Sequence, residues 1–538
     1  MSRFLDLYWQ RLRRDRWQLL SWVVSIGALA LFATTAVASA YGDDASRAEI
    51  LHVATATPAI LILRGLVRGP ALDAFTFFQI FAFIGVLAGL MNTFMAVRHT
   101  RAEEETGRAE LVAATAAGRW MPLAATVTHG LVANVLVAAA VMFGFIAGGL
   151  DAAGSLVAGL ATGVIGLAFL AVGLLASEFM STSRGANGAA AGLVVAAYLL
   201  RGFGDATGEV SQDGLTVTAA WPSWVSPIGW GQQTFAYTGN RWWPLLLPLG
   251  LGVVCVALTA VVMSRRDVGA SVLAGRRGRA DARRSLRGPF ALALRLQQGA
   301  IASWCIGGFI AGLLTGALGA AIQQVSITNS SVTAILRAMI EAQGTTMAQL
   351  LIAVLFEIGG ILAAACGLQA VLRLRQEEVA GTAELVLSEP LGRVRWFGSF
   401  LGLGAASVVL VMVFAALGAW YSLLVSGESA VGNVWETALA QIPAALLYLA
   451  LPAAVFVVVP RATVPIGWAL LALGVVLGVY GGMLGFDKSL RDLSPFTHTP
   501  VVTSSGTDWS GGFWMLGIGA ALVLFALVAV RRREVGTA

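Results

Sequence analysis

Charge is scarce in this sequence: 12% of its 538 residues are Asp, Glu, Lys or Arg, against about 25% in a soluble domain. Lysine is almost absent, since 34 of the 35 basic residues are Arg and Lys488 is the exception. A P-loop needs Gly-x-x-x-x-Gly-Lys-Ser/Thr, with the lysine on the phosphates. Lys488 follows Asp487, so no nucleotide site of that kind is expected in this chain. Cys255, Cys305 and Cys366 fall in apolar runs at unrelated spacings, which excludes a disulfide framework. The four histidines, His52, His99, His129 and His498, are scattered without metal-ligand spacing, so neither a metal site nor a catalytic constellation is expected. His129 reads as a polar packing residue. Period-2 alternation is missing too, which argues against a membrane β-barrel.

What the chain has is long uncharged runs, with 57% of its residues hydrophobic. A helix needs about 20 apolar residues to cross a bilayer, and its backbone must be satisfied within the segment. The runs predict an all-α polytopic membrane protein with spans near 18–40, 76–97, 121–148, 155–176, 187–203 and 244–263. A second set follows near 300–322, 347–372, 396–421, 434–459, 464–484 and 510–530. Ala38-Ser39-Ala40 resembles a signal-peptidase site, but the run from Trp17 is longer than a signal core and reads as an uncleaved first span. Arg201 closes the fifth span early. The N-terminus, the loops after even-numbered spans and the C-terminal tail hold 27 of the 35 basic residues. The positive-inside rule then places both termini in the cytoplasm. Basic residues confined to such loops report orientation rather than nucleic-acid binding. In Ser2–Arg16, Phe4, Leu5, Tyr8, Trp9 and Leu12 recur at helical spacing, which predicts an amphipathic helix lying flat in the interface.

The strongest signal is a duplication. Arg101-Ala-Glu103-Glu104-Glu-Thr-Gly107-Arg-Ala109-Glu110-Leu111-Val112 reappears 274 residues later as Arg375-Gln-Glu377-Glu378-Val-Ala-Gly381-Thr-Ala383-Glu384-Leu385-Val386. Arg265-Arg266-Asp267-Val268-Gly269 is matched by Arg532-Arg533-Glu534-Val535-Gly536, and Ser226-Pro227 by Ser494-Pro495. Two homologous six-helix halves, 1–264 and 288–538, are expected, joined by an Arg-rich cytoplasmic linker over 265–287. Acidic residues contribute little to topology, so their repetition in the loop points to a docking surface for a cytoplasmic partner. The candidates are Arg101, Glu103, Glu104, Gly107, Glu110, Arg375, Glu377, Glu378, Gly381 and Glu384. In the second span Phe78, Phe81, Met91, Asn92 and Met95 suit an adaptable substrate pathway. Glu357 in the eighth span is an intramembrane carboxylate and joins them on that ground. Trp221, Trp224, Trp230, Trp242 and Trp243, with Pro222, Pro227 and Gly229, predict short interfacial helices before the sixth span.

The flat N-terminal helix, the repeated Glu-Glu-x-x-Gly-x-Ala-Glu-Leu loop and the Trp-Pro-Gly-rich loop before the sixth span resemble type-2 ABC export permeases. With both halves fused, the chain is similar to the bacterial exporters of polyketide antibiotics, the tetronasin-type multidrug efflux permeases. The resemblance covers nearly the whole chain and implies a type-2 ABC exporter transmembrane fold with an elbow helix at Ser2–Arg16. It implies coupling helices at Arg101–Gly118 and Arg375–Gly392, and two copies of a separate cytoplasmic ABC ATPase subunit carrying ATP and Mg. It also implies a bacterial cell membrane location and amphiphilic antibiotics or drugs as substrates. An ion-gradient-driven secondary transporter would want more intramembrane acids than Glu357 and a Gly-x-x-x-Asp-Arg-x-Gly-Arg-like loop. A membrane-embedded enzyme would draw on Asp43, Asp44 and Asp73 and leaves the duplication unexplained.

Overall fold

The computed structural model describes residues 2–115, 118–267, 269–273, 288–326, 347–425, 434–481, 486–503 and 506–533. The chain divides into two compact units, Met1–Gly278 and Arg279–Ala538. Most of the expected linker, 268 and 274–287, lies outside the described residues. Twelve helices among the described residues are long and apolar enough to cross a membrane.

The first unit contains α1 (Ser2–Ala40), α2 (Asp44–Ala56), α3 (Pro58–Leu63), α4 (Leu72–Arg98), α5 (Arg101–Glu105), α6 (Arg108–Ala113), α7 (Met121–Ala147), α8 (Ala152–Phe179), α9 (Ser183–Ala206), α10 (Pro227–Gln232) and α11 (Leu246–Arg265). The second contains α12 (Pro289–Ser326), α13 (Met347–Val379), α14 (Thr382–Leu387), α15 (Arg393–Val425), α16 (Val434–Ala440), α17 (Ile442–Val458), α18 (Thr463–Gly478), α19 (Lys488–Arg491) and α20 (Ser510–Ala529). Two short antiparallel hairpins, one per unit, sit in the loops before α11 and α20.

Ser2–Arg16 is helical, as its spacing predicts, but it is not a separate flat helix. It runs without a break into the first span as α1. No Gly or Pro precedes Gly27 in this helix, so nothing interrupts its backbone ladder. Its facing is also informative. Leu5, Trp9, Trp17 and Leu20 point outward, whereas Arg11 and Asp15 are buried. Arg11 donates to the carbonyl of Pro122 (2.9 Å) and to Thr126 Oγ1 (2.6 Å) on α7. At about 1.5 Å per residue, α1 is roughly twice as long as the ~30 Å hydrocarbon layer, so its first turns extend beyond it.

The fifth span is longer than expected. α9 continues past Arg201 because that side chain turns inward. Arg201 pairs with Asp205 at 3.1 Å, donates to the carbonyls of Leu61 and Ile62, and covers the Tyr198 ring at 4.6 Å. A buried arginine with this many acceptors does not end a helix; it fastens α9 to α3.

Close helix contacts rest on small residues, as expected where lipid offers no hydrophobic drive. Gly308, Gly312 and Gly316 of α12 form one stripe whose α-carbons face the backbone of α15 around Val411, Ala415 and Ala419. In the first unit Asn92 and Asn134 exchange amide hydrogen bonds (2.9 and 2.7 Å) between α4 and α7. Each amide also donates to a carbonyl of its own helix, Ala88 or Gly130.

The Ser-Pro duplication does the same work twice. Ser226 Oγ donates to the carbonyl of Ala197 on α9 at 2.7 Å and accepts from the amides of Ile228 and Gly229. Ser494 Oγ donates to the carbonyl of Gly474 on α18 at 2.7 Å and accepts from the Phe496 amide. Short helices before the last span of each unit are thereby capped and tied to the fifth. Ser226→Ala and Ser494→Ala are each expected to cost about 1–2 kcal/mol, read as a lowered thermal midpoint in detergent. An unchanged midpoint in both would show that the caps contribute nothing.

Candidate functional site

The repeated loops fold alike. In the first unit α4 is followed by α5, then by Gly107 at φ +70°, then by α6. In the second, α13 runs on through Glu378 to Val379, Gly381 has φ +71°, and α14 follows. The amide of Gly107 donates to the Glu104 carbonyl and that of Gly381 to the Glu378 carbonyl, both at 3.1 Å. Nothing would touch a β-carbon at either glycine. Glycine is needed there for its left-handed backbone, not for space.

The acidic residues of the loops divide into two sets. Glu104 and Glu378 face inward. Glu104 pairs with Arg101 at 2.7 Å and with Arg266 at 2.6 Å. Glu378, its side chain 1% exposed, pairs with Arg375 at 2.9 Å and with Arg533. Arg266 and Arg533 are the second arginines of the duplicated Arg-Arg-acid-Val-Gly segments. Two motifs that look independent in the sequence therefore meet in each unit, latching the loop to the end of the last helix. The latches differ in their remaining partner. Arg266 also bonds Glu178 at 2.5 Å, whereas Arg533 covers the Phe456 ring at 4.3 Å. Burial works against the charge on Arg266, but its bonds to Glu104 and Glu178 outweigh it and hold the guanidinium above its ordinary pKa. Arg101 is buried and donates to the carbonyls of Ser177 and Ala270.

Glu103 pairs with Arg14 of α1, and Glu377 with Arg373. Glu110 and Glu384 are exposed. Beside them stand Leu111 and Leu385, equivalent in the repeat and each 72% exposed. The outward surface of each loop is thus a Glu-Leu pair just beyond the left-handed glycine. The sequence pattern shows that the two loops are equivalent but does not tell their inward acids from their outward ones, because that depends on tertiary contacts.

A cavity of about 500 Å³ opens in the first unit between the N-terminal turns of α1, the loop, the start of α7 and the end of α11. Arg14, Arg108 and Glu103 line it together with Leu7, Leu123 and Met263. Phe78, Phe81, Met91, Asn92 and Met95 do not line this cavity. They are buried within the first unit, where Phe81 stacks on Phe77 at 4.3 Å between ring centroids. Glu357 is half-buried on α13. Of the acids weighed for an enzyme, Asp43 caps α2, Asp44 pairs with Arg47, and Asp73 accepts from the Asp151 amide.

The histidines are not all scattered. His99 and His129 lie with ring centroids 5.3 Å apart and both approach Asp15. Spacing in the sequence gave no sign of this, since the three residues come from α1, the end of α4 and α7.

Residues 286–531 match the family described as multidrug efflux system permease Rv1217c, C-terminal domain. The multidrug efflux system permease protein Rv1217c of Mycobacterium tuberculosis (strain H37Rv) is 33% identical over 540 residues, covering 97% of this chain and 94% of that protein. The similarity spans both units and all twelve apolar helices, and the chain belongs to this family of multi-pass multidrug efflux permeases.

Proposed function

We propose that this chain is the membrane-spanning subunit of an ATP-driven exporter of amphiphilic drugs or antibiotics, of the tetronasin and polyketide-antibiotic type. Two copies of a separate ATPase, holding ATP and Mg, engage the duplicated loops from the cytoplasm, one loop each. The arginine distribution supports cytoplasmic termini in a bacterial cell membrane. The observation that carries the reading is the pair of equivalent leucines, Leu111 and Leu385, left 72% exposed beside an exposed glutamate on loops otherwise fastened by ion pairs. Exposed apolar residues on a rigid charged rim suit a protein partner. The mixed cavity beside the first loop has the size of a small-molecule site and suits an amphiphile. The test is isolation of the chain from its native membranes in mild detergent, with stoichiometry by native mass spectrometry. Two copies of one P-loop ATPase per chain are expected. A chain that purifies alone and transports with an ion gradient in liposomes would overturn the proposal.

A further inference from the structure

We propose that Asp15, His99 and His129 form a binding site for one divalent transition-metal ion of the zinc class. The inference does not rest on the export reading, although His99 also lines the cavity beside the first loop.

Asp15 Oδ2 lies 2.7 Å from His99 Nε2 and 3.8 Å from His129 Nε2. One ligand atom from each of the three residues falls within 4.8 Å of the others. Donors around a tetrahedral zinc ion at about 2.0–2.1 Å stand roughly 3.3 Å from one another. Shifts of less than about 1 Å bring the Asp15–His99 and Asp15–His129 distances to that value, and the two histidines' ligand atoms, within 4.8 Å of each other, close on the ion from either side. All three side chains are buried, and His129 is 0% exposed.

An ordinary carboxylate–histidine pair engages His99 through Nε2, leaving its Nδ1 without a hydrogen-bond partner, and does not account for His129 at all. Neither ring nitrogen of His129 has a hydrogen-bond partner, and 3.8 Å is beyond hydrogen-bond length. A buried polar group in that condition costs roughly 1–3 kcal/mol and calls for an explanation. A metal ion supplies one for Nε2, the nitrogen that faces Asp15, which is then a ligand rather than an orphan.

The surroundings fit a three-ligand site with one open position. A void of about 10 Å³ adjoins Asp15 and His129, with Met91 and Met95 on its wall, room for about one small ligand. Arg98 holds the other carboxylate oxygen, Oδ1, at 3.0 Å, which leaves Oδ2 for the ion and fixes the carboxylate as an outer-shell partner does. Arg11 donates to the carbonyl of His99 at 3.4 Å. Two guanidiniums oppose a bare dication and favour an anionic fourth ligand, such as hydroxide, over neutral water. Nitrogen and oxygen donors in this number suit zinc, cobalt, nickel or copper rather than magnesium or calcium. The bound ion would fasten the N-terminal turns of α1 to α4 and α7.

The test uses the full-length chain, purified in mild detergent without a polyhistidine tag, loaded with Zn²⁺, desalted and measured by elemental mass spectrometry. About one equivalent per chain is expected. His129→Ala and His99→Ala are expected to retain less than about a tenth of that, while His498→Ala retains it all. Titration of the native chain with Co²⁺ needs no variant and is expected to give a saturable visible absorption of a low-coordinate nitrogen–oxygen site. Zinc retention equal in the native chain and His129→Ala, or no visible band with excess Co²⁺, would overturn the proposal.

Discussion

Glu378→Arg is expected to keep the chain from accumulating in the membrane. The side chain is 1% exposed and pairs with both Arg375 and Arg533. Reversal would put three guanidiniums together with no carboxylate among them. Breaking a buried pair by removing one partner costs about 3–5 kcal/mol, a large part of the roughly 5–15 kcal/mol that holds a domain together. Glu104→Arg has the same sign, since Glu104 faces Arg101 and Arg266. Glu384→Arg, on the exposed side of α14, is expected to leave yield and midpoint within about 0.5 kcal/mol of native. The measurement is membrane yield with the thermal midpoint in detergent, and the control is Arg533→Glu added to Glu378→Arg, which is expected to restore part of the loss. Native yield for Glu378→Arg alone would show that the latch carries no structural load.

The double variant Leu111→Asp, Leu385→Asp is expected to do the opposite: to fold and insert normally, yet to lose transport. Both side chains are 72% exposed, so their replacement lies among the surface changes that move stability by about 0.5 kcal/mol or less. If each leucine is an anchor for the ATPase, its loss costs about 2 kcal/mol of association, roughly thirtyfold per loop. Drug-stimulated ATP hydrolysis and co-purification of the ATPase are the readouts. Export at the native rate by a double variant that inserts normally would overturn the docking role proposed for the loops.

The spans were legible in the sequence because the membrane imposes a local rule: about 20 apolar residues in a row. The repeat was legible because its matches fall in a charged loop, where shared hydrophobicity cannot produce them. What escaped the sequence depends on partners far along the chain. Arg201 reads as the end of a span until Asp205, Leu61 and Ile62 surround it. Ser2–Arg16 reads as a helix lying flat until Arg11 and Asp15 are seen turned toward α4 and α7. The Arg-Arg segments ending each half were visible as repeats, but a linear pattern gives no means of joining Arg266 to Glu104 or Arg533 to Glu378.

The two latches carry a further consequence, because duplication has left them unequal. Arg266 is gripped by two carboxylates, and Arg533 by one carboxylate and the face of Phe456. Added salt weakens ion pairs more than contact with a ring, so the two halves should differ in their response to ionic strength. Under an equal pull on both loops, bonds of different make do not part at the same moment. The two loops are therefore expected to come loose from the ends of their last helices one after the other as salt is raised, not together.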